Sequence, residues 1–80
     1  MFERTFENSK EDPIQGGILL VFGTTVVGSS LTIIWNGVEV TDIDVGTNVV
    51  RINSVTYEPG DNTLQVFAPI NTILTGVMAY

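Results

Sequence analysis

The side chains able to do chemistry in this 80-residue chain are almost all carboxylates. Asp42 with Asp44, and Glu58 with Asp61, are close enough in sequence to offer two acids side by side. Two facing carboxyl groups can split a glycosidic bond, one giving a proton while the other attacks or activates water. That requires a sugar-sized cleft, for which so small a chain has little room, and Glu58-Pro59-Gly60-Asp61 is ordinary turn chemistry. Asp42 and Asp44, followed by Thr47 and Asn48, also offer the oxygen ligands that calcium prefers, with Asp61 as a third acid. The stretch lacks the glycine and the closing bidentate glutamate of a helix-loop-helix calcium loop, so these acids are read as solvated loop residues.

No cysteine or histidine is present. Their absence excludes disulfides, thiolate zinc sites and the Ser-His-Asp and Cys-His nucleophilic arrangements. The serines and threonines have no base to activate them, and Gly16-Gly17 has neither a following lysine nor a helix to receive a phosphate. No catalytic, cofactor-binding or metal-binding residue is assigned, and no cofactor is expected.

The formal charge is −6, with Arg4, Lys10 and Arg51 the only cations. A chain this acidic lacks a footprint for phosphate backbones or anionic membranes, so neither nucleic acid nor membrane is expected as a partner. The longest apolar run, Ile18 to Phe22, is too short to span a bilayer. The N-terminal residues show no apolar signal-peptide core, which predicts synthesis in the cytoplasm without export. Six of the twelve charges fall within the first twelve residues, leaving a bare body whose surface is expected to meet partners.

These residues need elements to hold them, and the chain supplies β-strands. Leu31–Thr41 is two β-prone runs joined by Asn36-Gly37, the pair that a two-residue type I′ hairpin turn prefers. Trp35, beside that turn, is expected to pack in the core. Residues 1–15 read as an N-terminal arm. Phe2 and Phe6 could share a face of a short helix or pin an extended segment, and Pro13 stops any helix. Gly16-Gly17 then reads as a hinge into a body over residues 16–80.

Within the body, Ile18–Phe22 is a strand apolar on both faces, suited to a central position or to a partner chain over its outer face. Thr24–Val27 continues as β before a Gly28-Ser29-Ser30 turn. Residues 41–48 form a loop or short edge strand, and 48–56 a longer strand carrying Val50 and Ile52 inward. Arg51, on the opposite face, is expected to pair with a carboxylate. Pro59-Gly60 fits a type II turn, Leu64, Val66 and Ala68 share one face, and 72–79 is a last strand with a bulge or close approach at Gly76. The expected fold is all-β, a small antiparallel sandwich or barrel of about seven short strands.

Trp35-Asn-Gly-Val-Glu-Val40, and later Tyr57-Glu-Pro-Gly-Asp-Asn-Thr-Leu-Gln-Val66, resemble the hairpin and turn signatures of immunoglobulin-like and jelly-roll accessory modules. The resemblance covers residues 31–68 and implies a β-sandwich. In its design of bare β body, arm and no catalytic set, the chain is also similar to phage virion proteins such as capsid decoration (cement) proteins and tail or fibre accessories.

The first functional expectation is therefore a non-enzymatic structural protein of a virus or phage particle that stabilises subunit joints and is found in the virion. Its partners would be other virion proteins and further copies of itself, with Phe2, Phe6, Ile18, Leu20 and Phe22 as the contact residues. The alternative is a carbohydrate- or surface-binding module using Trp35 and the loops at one end. A third possibility, an acidic mimic of nucleic acid, requires a continuous patch of negative charge.

Overall fold

A computed structural model describes residues 1–80 as eight strands and no α-helix. The strands are β1 (Phe2–Asn8), β2 (Ile14–Phe22), β3 (Thr32–Trp35), β4 (Val38–Glu39), β5 (Ile43–Val45), β6 (Val49–Tyr57), β7 (Gly60–Phe67) and β8 (Leu74–Ala79). They form two four-stranded sheets, sheet A in the order β1-β7-β3-β4 and sheet B in the order β5-β6-β2-β8. Every pairing is antiparallel. The fold is a small antiparallel β-sandwich, as the turn signals and alternation predict.

The core lies between the sheets and is built by the period of two. Ile18, Leu20 and Phe22 of β2 and Val50, Ile52 and Val55 of β6 meet Ile33 and Trp35 of β3 and Leu64 and Val66 of β7. The β3–β4 hairpin turns on Asn36 and Gly37 at φ 50° and 84°, positive at both centres as a type I′ turn requires. Gly60, after Pro59, has φ 92°, in keeping with the type II pattern. Gly76 sits at a register shift on β8, where Val21 faces Gly76 and Phe22 faces Leu74. That shift is the expected bulge.

Several expectations need correction. Residues 1–15 do not stand apart as an arm: β1 pairs with β7 from Phe2–Val66 to Asn8–Gly60, and Ile14 and Gln15 already belong to β2. Phe2 and Phe6 are half-buried against the core. Thr24–Val27 lies outside the strands, while Gly28–Ser30 is the expected turn, formed as a single 3₁₀ turn. Strand β7 ends at Phe67, leaving Ala68 exposed.

Gly16-Gly17 is not a hinge but two seats for aromatic rings inside β2. A Cβ on Gly17 would lie 2.4 Å from the Tyr80 ring, and one on Gly16 would lie 2.8 Å from the Tyr80 carbonyl oxygen and 3.1 Å from the Tyr57 ring. An exposed side-chain ring can swing away, whereas backbone held in a ladder cannot. Gly16→Ala is therefore expected to cost about 2 kcal/mol, and Gly17→Ala less than about 1 kcal/mol while releasing Tyr80. Chemical denaturation of both variants checks the order, and equal losses would contradict it.

Candidate functional site: the outer face of sheet B

The two outward faces of the sandwich differ in chemistry. On sheet A, β1 presents Glu3, Thr5 and Glu7, and their register partners on β7 include Gln65 and Thr63. Gln65 Nε2 donates to Glu3 Oε2 at 3.0 Å. Ile34 stands opposite Glu39 on the neighbouring hairpin. Along β1 sheet A thus faces water with charge and amide groups, while Ile34 and the 40% exposed Phe67 add apolar surface on β3 and β7.

Sheet B is polar along β5 and β6, where Asp44, Arg51, Ser54 and Thr56 face outward with Gln15, but presents mainly hydrocarbon along the rest of β2 and β8. Leu19 and Val21 alternate with the buried Ile18, Leu20 and Phe22, so their side chains leave the core. In register beside them lie Met78 and Gly76 on β8 and Arg51 and Val49 on β6. Met78 and Tyr80 are more than half exposed. Tyr80 lies across Gly17, its hydroxyl donating to the Ile52 carbonyl at 3.3 Å. At the other end of the stripe Ile73 and Thr75 flank Gly23.

Arg51, the one cation in the body, is expected from the sequence in an ion pair. Its guanidinium instead stands over the Tyr80 ring at 5.8 Å, and its register partner on β5 is Asp44. The stripe continues into the β7–β8 connection, whose Ile70 is 91% exposed. That connection and Met1-Phe2 border an open cavity of about 480 Å³ that reaches down to Phe22 and Val66.

The residues expected to contact a partner are elsewhere. Ile18, Leu20 and Phe22 are buried between the sheets and have no surface to offer, while Phe2 and Phe6 close the flank of the core. A strand apolar on both faces carries two sets of candidates, and the outward set is the one of opposite parity. Sequence reasoning misses Leu19 and Val21, joined by Met78 and Tyr80, for that reason.

Trp35 is buried as expected. Its indole N–H donates to the Thr56 carbonyl at 2.9 Å, and its ring meets Tyr57 edge-on at 5.1 Å and Phe6 at 5.9 Å. It cannot serve as an exposed platform for stacking sugars. Tyr57 donates its hydroxyl to the Gly17 carbonyl, and burial, with the Tyr80 phenol nearby, pushes that hydroxyl above its ordinary pKa of 10.0. It remains a donor across the neutral range.

The acids do not converge. Asp42 lies between β4 and β5, where it accepts a bond from Asn53; Asp44 is on the β5 edge of sheet B, and Asp61 is on β7 in sheet A. No group of three potential metal-ligating acids is brought together.

Family models, curated protein sequences and solved structures yield no match to this chain. The fold defines its class: a small antiparallel β-sandwich.

Proposed function

We propose that the protein is a non-enzymatic structural subunit that docks the outer face of sheet B onto a neighbouring subunit of a larger assembly. The observation that carries this reading is the apolar strip along β2 and β8 of sheet B. Sheet A carries charge along its edge strand, whereas Leu19, Val21, Met78 and Tyr80 leave a hydrocarbon stripe on sheet B. Apolar surface that stays wet in a free chain contributes about 25 cal/mol per Å² once a partner covers it. A subunit that binds only the assembled state then stabilises that state by mass action. The assembly put first is a virus or phage particle, with this chain as a decoration or cement subunit across joints of the shell.

The test is Val21→Arg. Val21 points outward from a central strand, so the fold should be kept, while an unpaired guanidinium would have to be desolvated in the joint. Gently isolated from its source, the wild-type protein should co-fractionate with a large particle. Val21→Arg should enter that particle at least about tenfold less, the effect of about 1.4 kcal/mol. A wild-type chain found only outside any large particle, or equal incorporation of the variant, would overturn the reading.

A further inference from the structure

We propose that β8 is a self-pairing edge, through which two copies of the chain join their B sheets antiparallel across a two-fold axis at Met78. A sandwich of two open sheets has four edge strands, and exposed edges invite pairing unless they are short, bulged or charged. Here β4 has two residues and β5 three, too short to template a partner. Strand β1 has seven, but it carries Glu3, Arg4 and Glu7, and Arg4 occupies the core-side register opposite Leu64. An inward-set charge of that kind resists a further strand.

Strand β8 has no such guard. No charged residue occurs from Asn62 to Tyr80. The bulge lies at its Leu74–Gly76 end, leaving Gly76–Ala79 in regular register with β2.

The ladder fixes which groups are free. Gly17 N–H donates to the Tyr80 carbonyl at 2.8 Å, and Tyr80 N–H to the Gly17 carbonyl at 2.9 Å. Bonded and non-bonded pairs alternate along an antiparallel ladder, so the next bonded pairs are Leu19–Met78 and Val21–Gly76. Val77 and Ala79 accordingly aim their N–H and C=O groups away from β2, toward the open edge. A second β8 placed with Met78 facing Met78 sets each Val77 against the other copy's Ala79. Both groups of both residues are then satisfied.

The occupant is a second copy because charge permits it at this edge and opposes it elsewhere. At net charge −6 two chains repel, yet β8 meets β8 without a charged group on either strand. The isologous contact also closes on itself, leaving no second β8 edge to propagate. Met78 side chains meet on the outer face, and the Leu19–Val21 stripes of the two copies join into one surface. The inference stands on the backbone edge and does not depend on what that outer face docks against.

The absence of native cysteine makes the test direct. Facing residues of a non-bonded antiparallel pair lie about 4.5 Å apart at Cα, within disulfide reach. Met78→Cys should form a disulfide dimer under mild oxidation at least about tenfold faster than Thr5→Cys on the β1 edge, through enforced proximity. Both positions are exposed, so the fold should tolerate the changes. In sedimentation equilibrium the wild-type mass should climb with concentration from the 8.7 kDa of one chain toward twice that value. Met78→Lys should hold the single-chain mass with an unchanged circular dichroism spectrum. A wild type at single-chain mass throughout, equal oxidation rates for the two cysteine variants, or a Met78→Lys chain that still dimerises would each overturn self-pairing. None of these results bears on particle entry by Val21→Arg, so the two readings can fail separately.

Discussion

Replacing Trp35 with alanine should lower the free energy of unfolding by about 4 kcal/mol, the range seen when a large aromatic is truncated in a packed core. The indole is 7% exposed, fills the space between β3 and β6, and joins Phe6 and Tyr57 in an aromatic cluster at one end of the sandwich. Truncation removes that contact and also orphans the Thr56 carbonyl that the indole N–H now satisfies. Small domains have total stabilities of about 5–15 kcal/mol, and an 80-residue chain belongs toward the lower end. The variant should therefore keep only about 1 kcal/mol of stability, leaving roughly one chain in six unfolded at 25 °C. At a urea m-value of about 1–2 kcal/mol per molar the midpoint should fall by at least about 2 M. Trp35→Phe keeps a ring against Tyr57 but loses the hydrogen bond, and should cost about half as much. A Trp35→Ala loss below about 1 kcal/mol would mean that the indole is not a core element.

Asn62→Ala should cost about 3 kcal/mol although it removes no apolar surface. Asn62 is fully buried at the start of β7. Its amide NH₂ donates to the carbonyls of Glu58, Gly60 and Phe6, and its Oδ1 accepts from Glu58 N–H and Asn36 Nδ2. Asn36 Oδ1 in turn accepts from Thr63 N–H. One side chain thus wires the Pro59-Gly60 turn to the Asn36-Gly37 turn and both to β1. Without it, buried backbone groups lose partners at about 1–3 kcal/mol each, with partial relief from water. Asn62→Leu, which restores volume but not donors, should not recover the loss, and the Glu58 amide should lose protection from hydrogen exchange. An Asn62→Leu chain as stable as the parent would show that the network adds nothing net.

Much of this architecture is written in short-range chemistry. Asn36-Gly37 and Pro59-Gly60 announce their turns because only a few residue types accept those dihedrals. The alternation of Leu64 and Val66 names an inner face. Phe2 and Phe6 are harder to read for a specific reason. A spacing of four places two residues on one face of a helix and also on one face of a strand, so it cannot choose between them. The deciding fact is the pairing of β1 with β7 some sixty residues away, which no local pattern encodes.

The apolar face escapes notice through parity in the same way. Ile18–Phe22 is apolar at every position, so nothing local says whether the even or the odd residues look inward. Asn62 carries no warning either. Beside Gly60 and Asp61 it reads as one more turn residue, and its burial depends on β1 and the β3–β4 hairpin arriving over it.

The strand order also sets when this chain can fold as it is made. Only β3–β4 and β5–β6 pair with a sequence neighbour; β1 waits for β7, and β2 waits for β6 and β8. A ribosome that has released the first half has delivered two long strands with no partner for either. Loop closure must precede the contacts that reward it, so folding belongs in the slow, millisecond-to-second class of β-rich domains. Ile18–Phe22 therefore emerges uncovered, and the strand that completes sheet B is the last of the eight to follow it. Until then the apolar strand is open to pairing with other chains.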